Sequence, residues 1–379
     1  MQHDYNKEAL EIHGYNHGKI GTELKVPLTT REDLARAYTP GVAEVCREIA
    51  RDPVLAREYS LKRNTVAIIS DGSAILGLGN LGALAAIPVM EGKAAILKSF
   101  AGVDAFPICL DTQDTEEIIK AVKQLAPVFG AVNLEDIAAP RCFEIEERLR
   151  KELPIPVMHD DQWGTATVVL AGVINALTLR AISKEEVKVV VNGVGSAGVA
   201  VSRLLFAYGI KDILFCDSKG IIHGGRADLT KEKKELLNAS SAKAQEGTLA
   251  QAMAGRHIFI GLSKPGTVTK EMVKAMTSRP IIFSLANPIP EIMPEEAREA
   301  GAFIIATGRS DYPNQLNNSL IFPGLFKGVL NNNVKQFDID MFTRAAYALA
   351  NHVKNPSPEN ILPSMFDKEL VEVIANTTL

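Results

Sequence analysis

Residues 187–217 read VKVVVNGVGSAGVAVSRLLFAYGIKDILFCD, and they restrict the possible folds more than any other part of the chain. A β-branched apolar run, residues 187–191, meets a glycine turn, Gly193-Val194-Gly195-Ser196-Ala197-Gly198. A run with helical apolar spacing follows, and then a second apolar strand, residues 213–216, ends on an acid, Asp217. Strand, glycine turn, helix, strand and acid in that order make a βαβ half-unit with the dinucleotide-binding fingerprint. The glycines let backbone approach a pyrophosphate, and the helix start offers it unpaired N–H groups and a positive dipole end. Asp217 is placed to accept hydrogen bonds from an adenosine ribose. The expected cofactor is therefore NAD or NADP.

Elsewhere strands and helices alternate. TVAIIS, AFPICLD, GAVNLEDI and IPVMHDD read as strands separated by helical segments, the last of them followed by the long apolar helix GTATVVLAGVINALTLRA. After the glycine segment, HIFIGL, PIIFSLAN and AFIIAT read as further strands, and the tail from about Asp338 is helical. Such a rhythm implies parallel sheets covered on both faces. At 379 residues the chain exceeds one ordinary core. The expected class is α/β, two domains with parallel-rich sheets, the second a Rossmann-type dinucleotide-binding domain. The boundary is placed near Asp161, giving domains at 1–160 and 161–379, with C-terminal helices free to pack back onto the first. Upstream, Thr39 and Pro40 are expected to start a helix through TPGVAEVCREIARD.

A net charge of −4 gives no electrostatic reason to expect nucleic acid. No apolar run is judged to reach the ~18 residues of a membrane span, and MQHDYNKEAL has neither the basic start nor the apolar stretch of a secretory signal. Cys46, Cys109, Cys142 and Cys216 are scattered, as expected of small buried hydrophobes in a reducing cytoplasm.

Acids gather at the predicted ends of two strands: Glu135 and Asp136 close one, Asp160 and Asp161 the other. Ligands bind beyond the carboxyl ends of open parallel sheets. Carboxylates converging there repel one another unless a cation holds them, and oxygen donors without a Cys or His cluster favour Mg²⁺ or Mn²⁺. The plain alternative is that they cap a helix start. Lys93, in PVMEGKAAI, has small apolar neighbours that argue for burial, which would lower its pKa and make it a usable base; most lysines are solvated surface charges. Tyr38 precedes a Pro-Gly turn, and a core aromatic is its plain alternative. Asn287, beside a proline, and Asn317 and Asn318 carry amides that can both donate and accept at a carboxylate or a nicotinamide; turn-forming is as good an account of them from spacing alone. A second GxGxxG, residues 77–82, stands too far from its strand for a tight turn, so it is either a loop that brings backbone to a ligand or a close helix contact.

Taken together, AYTPGVAEVC, SDGSAILGLGNLG, PVMEGKAAI, NLEDI, HDDQWGTA, NGVGSAG, ANP and NQLNNSLIFPG resemble, in order and over nearly the whole chain, the motifs of the malic enzymes of the short bacterial and archaeal type. The resemblance implies oxidative decarboxylation of (S)-malate to pyruvate and CO₂ with reduction of NAD(P)⁺, together with decarboxylation of oxaloacetate. It implies Tyr38 as general acid and Lys93 as general base, Glu135, Asp136 and Asp161 as ligands of Mg²⁺ or Mn²⁺, and residues 193–198 as the phosphate loop. It sets Asn287 and Asn318 at substrate and nicotinamide, with Asn317 beside them. Where larger malic enzymes carry an arginine that grips the substrate carboxylate, this chain has Ala74, so a backbone N–H in the 77–82 loop or a residue from another subunit is expected to serve. A homodimer or higher homo-oligomer with shared site elements is the expected assembly. Asp217 favours NAD over NADP, with Lys219 close enough to soften that preference. The rivals are a metal-dependent dehydrogenase of another 2-hydroxy acid, a nucleotide-sensing module without turnover, and an amino-acid dehydrogenase.

Overall fold

The computed structural model describes residues 4–379; residues 1–3, the start of the segment read above for a secretory signal, lie outside the described residues. Two sheets organise the chain. The first holds β1 (Thr65–Ser70), β2 (Asp104–Cys109), β3 (Ala131–Leu134) and β4 (Val157–His159), all parallel, in the order β2-β1-β3-β4. The second holds β5 (Lys188–Asn192), β6 (Asp212–Asp217), β7 (Gly220–Ile221), β8 (Ile258–Gly261), β9 (Ile281–Ser284) and β10 (Ile304–Thr307), in the order β10-β9-β8-β5-β6-β7. Only β7, paired with β6, runs antiparallel. It is two residues long, too short for any periodic signal to mark it in the sequence.

The strands are apolar at successive positions because both faces of each sheet are covered. Val66 and Ile68 face one core while Ala67 and Ile69 face another. Val189 and Val191 likewise share a core that Val190 does not. The cluster that takes Val66 and Ile68 also takes Val189 and Val191, so one continuous core joins the two sheets. Its shared wall is the helix Asp160–Arg180, buried along nearly its whole length. That helix is long and apolar enough to cross a bilayer, so the judgement that no run reaches such a length is corrected; here it lies inside the protein. Its Asn175 amide donates to the carbonyls of Ala350 and Ile361, 2.9 Å each, and ties down the C-terminal segment. The helix Ile339–His352 packs on Asp160–Arg180, and Phe322–Asn331 packs against β3 and the turn at Leu97–Ala101. Trp163 and Phe342 stack, with centroids 4.9 Å apart and planes 4° from parallel.

Residues 4–64 behave differently: not one of them is buried. The helix expected from Thr39 begins instead at Val42, with Gly41 at its N-cap. Cys46 on that helix is exposed, contrary to the expectation for all four cysteines.

Candidate active site

The acids meet because of strand register. Leu134 on β3 pairs with His159 on β4, so the next residues along, Glu135 and Asp136, fall beside Asp160 and Asp161. The Asp136 N–H donates to Asp161 Oδ2 at 2.8 Å. Asp136 takes a left-handed φ of 54°, which few non-glycine residues adopt, and the chain turns sharply there. Asp160 and Asp161 occupy the first turn of Asp160–Arg180, but neither caps it: the N-cap is His159, without a side-chain bond. Capping therefore does not account for these acids.

Lys93 projects into the group from the helix Ala83–Ile96. Its Nζ lies 2.6 Å from Asp160 Oδ2 and 2.8 Å from Glu135 Oε1, with the Phe322 ring centroid 4.3 Å away. The side chain is buried, as its small neighbours predicted. Its protonation is opposite to expectation. Burial works to lower the pKa, but the charges of Asp160 and Glu135 outweigh it and raise the value, so the isolated chain holds Lys93 as an ammonium.

The carboxylates are under matching strain. Burial first, then repulsion from Asp161, pushes Glu135 up to about 7. Burial with repulsion from Asp161 and Glu135 pushes Asp136 up to about 8. Burial pushes Asp160 and Asp161 up to about 6 each. Asp136 Oδ2 is buried with no hydrogen-bond partner. Oxygen donors, crowded negative charge and an orphaned acceptor fit a hard divalent cation. They do not form a closed cage as they stand. Among the described residues no three His, Cys, Asp or Glu side chains are gathered into one, because Lys93 engages Glu135 and the Asp136 N–H engages Asp161.

Behind the acids lies a support that the sequence reading missed. Buried Glu146 accepts from the His159 N–H (3.0 Å), Gln162 Nε2 (3.0 Å) and Trp163 Nε1 (3.1 Å), holding both the end of β4 and the start of the next helix. A signal was present: in the helix Arg141–Glu152, Glu146 falls on the stripe of Cys142, Ile145 and Leu149, an acid where an apolar residue belongs. Burial lowers His159 to about 4, so its ring is neutral. On the other side Arg141 Nη2 donates to Asp71 Oδ2 (2.9 Å) and Ser73 Oγ (3.1 Å), and the Ala74 N–H donates to the Asp136 carbonyl at 3.0 Å. That amide is therefore spent within the chain, and in the 77–82 loop expected to stand in for the arginine the N–H groups of Leu78, Leu81 and Gly82 are likewise bonded to the Ile75 and Gly72 carbonyls.

The remaining predicted residues divide. A Cβ at Gly77 would lie 2.8 Å from the Asn287 carbonyl oxygen, so the glycine-rich loop after β1 reaches the end of β9. Asn318 lies near the acids, its Cβ 3.0 Å from where a Gly164 side chain would start, a position that Asp160 also crowds. Asn317 instead caps the short helix Asn318–Leu320, accepting from the Ser319 N–H at 2.8 Å. Tyr38 is not brought to the group. It ends the helix Arg31–Ala37, is 66 % exposed, and its side chain makes no hydrogen bond or ring contact among the described residues.

The glycine turn of the second sheet has the geometry its sequence predicts. Gly193 takes φ 99° and its N–H donates to the Cys216 carbonyl at 2.9 Å, so the turn lies beside the end of β6. A Cβ at Gly198 would strike the Gly193 carbonyl, whereas a Cβ at Gly195 meets nothing within 4 Å. The helix Ser196–Tyr208 starts there, at the point where β6 and β8 diverge from β5. Asp217 ends β6 as expected, but it is not a free acceptor. Arg226 grips it with two bonds (2.8 and 2.9 Å), Lys233 Nζ adds one at 2.8 Å, and the Lys219 N–H another at 3.0 Å. Burial works upward on its pKa, but these donors overcome it and hold the acid at about 2. Lys219, the residue expected to soften the charge, sends its amine to Asp228 instead; Arg226 and Lys233 were not anticipated.

Comparison with known proteins matches residues 17–150 to the malic enzyme N-terminal domain and residues 163–377 to the malic enzyme NAD-binding domain. The chain is 52% identical to the NAD-dependent malic enzyme of Geobacillus stearothermophilus, over 94% of this chain and 74% of that protein. It is 50% identical to the bifunctional malic/malolactic enzyme of Bacillus subtilis, over 97% of this chain and 91% of the relative. The NADP-dependent malic enzyme of Rhizobium meliloti is 45% identical over 97% of this chain, which spans 51% of that longer protein. Among solved structures, the NAD-dependent malic enzyme of Thermotoga maritima superimposes with a TM-score of 0.94 at 48% identity, covering 97% of this chain and 98% of that one.

Proposed function

The chain belongs to the malic enzyme family, and from that premise we propose that it oxidises (S)-malate and releases CO₂ to give pyruvate, with NAD as hydride acceptor and NADP as a second cofactor. The observation that carries the proposal is the buried amine of Lys93 set between Asp160 and Glu135, one residue from Asp136 and Asp161. A sensor that did no chemistry would have no use for that ion cluster in its interior, where each charge costs several kcal/mol unless paired. We assign the acid, base and metal residues to residues 1–160, with Asp161 at the boundary, and the dinucleotide to residues 161–379.

Glu135, Asp136 and Asp161 would hold a divalent cation, which would offset their charge beside Lys93 and supply Lewis acidity to the substrate, and residues 193–198 would hold a dinucleotide, which would supply the hydride acceptor. Lys93 Nζ takes the proton of the C2 hydroxyl. At an unshifted pKa of ~10.4 only about one lysine in 2,500 is neutral at pH 7, and Asp160 and Glu135 make it scarcer still. The base therefore becomes available only as those carboxylates are neutralised. Asp160 orients the amine, and the Phe322 ring keeps water off one side of it. Asn287 and Asn318 offer amides for the substrate carboxylate and the nicotinamide. The Tyr38 phenol protonates C3 of the enol left when CO₂ departs.

Tyr38 bears on assembly. It stands on a segment with no buried residue that nonetheless exposes Leu10, Leu24, Leu34 and Val54. We propose a homodimer or higher homo-oligomer in which this segment covers a second copy and brings Tyr38 to its site. The test is the absorbance of reduced nicotinamide with malate, each cofactor, and Mn²⁺ against EDTA. Activity with malate that EDTA abolishes is expected; turnover of another hydroxy acid but not of malate would overturn the assignment. The Bacillus subtilis relative suggests a second reading, net conversion of malate to lactate and CO₂, which a lactate measurement in the same assay checks.

A further inference from the structure

One buried acid has no part in proton transfer or in holding metal or substrate. Glu291, 0% exposed, lies in the loop that follows β9. Its Oε1 accepts from the Ser263 N–H at 2.9 Å, just past the end of β8. Its Oε2 accepts from the Ala286 N–H and the Ser284 hydroxyl, 3.1 Å each, at the end of β9. Two backbone amides and a hydroxyl thus meet this carboxylate, and no cation does so in those contacts. Three donors converge on it, and only a side chain that is all acceptor satisfies them together. Room is kept for it: a Cβ on Gly261, the last residue of β8, would lie 2.5 Å from the carboxyl carbon.

The segments that Glu291 joins border the glycine turn on one side and Asn287 on the other. Ser263 Oγ accepts from Asn192 Nδ2 at 2.8 Å, and the Leu262 N–H donates to the Asn192 carbonyl at 2.8 Å. Asn192 ends β5 and leads into the turn, where Gly193 has no room for a side chain against the Leu262 carbonyl. Ala286 leads directly into Asn287. A Cβ on Gly308 would lie 2.9 Å from Asn287 Nδ2, so that amide rests against the loop after β10. One carboxylate therefore spans the ends of β8 and β9 and reaches the end of β5 through Ser263. These are three neighbouring strands, joined at the carboxyl edge of the sheet where ligands bind. Burying a carboxylate without a cation is costly; what it gives here is a rigid registry between two loops.

We propose that Glu291 is a positioning residue for hydride transfer, its carboxylate fixing the glycine turn and Asn287 at one separation. The turn that would hold the pyrophosphate and the amide that would meet the nicotinamide then keep their spacing without help from the ligand. The proposal rests on malate oxidation with a dinucleotide at residues 193–198.

Hydrogen exchange on the cofactor-free chain and malate turnover test it together. Glu291→Gln keeps the size of the side chain but sets a donor among three donors. Exchange at the Ser263 and Ala286 amides should quicken by about 10- to 100-fold, the worth of a hydrogen bond to a charged group, while the central strands exchange as in the wild type. The kcat for malate should fall by about 10- to 100-fold, as a small misplacement of reacting groups can cause. The primary isotope effect of malate deuterated at C2 should rise, because the hydride step itself has slowed. A variant that is merely less stable would exchange faster throughout and lose active molecules with the isotope effect unmoved. That result, or an unchanged kcat, overturns the proposal. Ser284→Ala takes one donor from the same carboxylate and carries the test should Glu291→Gln fail to fold, with changes of the same kind at about 2- to 10-fold. A wild type that oxidises no malate removes the functional reading, whereas loosened loops at unchanged kcat in an active enzyme remove only the role of Glu291.

Discussion

Lys93 and Asp160 are bonded through Nζ and Oδ2 at 2.6 Å, and both side chains are buried, 8% and 0% exposed. Sixty-seven positions of chain separate them. The pair fixes the amine's direction and its proton together. Lys93→Ala should lower kcat by about 10²–10⁴-fold, the usual worth of a positioned acid or base, in malate oxidation and pyruvate reduction alike. Asp160→Asn keeps the base but removes one of the two carboxylates that hold its proton. Its expected signature is a shift of the pH–rate profile toward lower pH beyond any fall in kcat. An unmoved profile would show that Asp160 does not set the state of the amine.

The raised carboxyl groups give a pH dependence of stability with a definite sign. Glu135 goes from 4.5 to about 7, Asp136 from 3.8 to about 8, and Asp161 from 3.8 to about 6. Each holds its proton more tightly folded than unfolded. Between roughly pH 4 and 8 the unfolded chain therefore binds fewer protons, and stability falls as pH rises. In EDTA the Tm should drop from about pH 5 to about pH 8, and Mn²⁺ should raise it most at the upper end. Glu135→Gln should flatten the slope. A Tm in EDTA that climbs across that range would contradict the charge assignments.

Glu146 holds the metal acids from behind. Glu146→Gln replaces one acceptor oxygen with a donor among three N–H groups that need acceptors, which should cost about 1–3 kcal/mol in urea unfolding. Because His159 and Gln162 flank Asp160 and Asp161, Mn²⁺ affinity should also fall, by about 10- to 100-fold as for other supporting groups at metal sites. Loss of stability with affinity intact would make Glu146 a packing residue only.

Two glycines of one turn should respond differently. Gly198→Ala drives a methyl into the Gly193 carbonyl and should lower the Tm. Gly195→Ala meets open space and should leave the Tm in place while raising KM for the dinucleotide, whose backbone approach it obstructs. Equal KM for Gly195→Ala and the wild type would move the pyrophosphate off this turn.

If Tyr38 serves a second copy, two variants that are each inactive should complement. Mixing Lys93→Ala with Tyr38→Phe after gentle dissociation should restore malate oxidation, because one mixed site then has both residues. A mixture that remains inactive while sedimentation shows mixed oligomers would place Tyr38 in its own chain's site.

The alternating strands, the glycine turn and the long apolar helix were legible in the sequence, because apolar spacing and turn chemistry are local and each element is stabilised by burying the face its own sequence encodes. The helix start at Val42 was misplaced because the segment around it is unburied, and without packing the cap residues alone do not decide where a helix begins. Which acids would become neighbours was set by the pairing of Leu134 with His159, a relation between segments far apart in the chain. The charge on Lys93 and the occupation of Asp217 by Arg226 and Lys233 belong to that same level. A side chain's type is written in the sequence, but its protonation and its free lone pairs depend on the desolvation and the charges that other segments bring to it, and only folding assembles those.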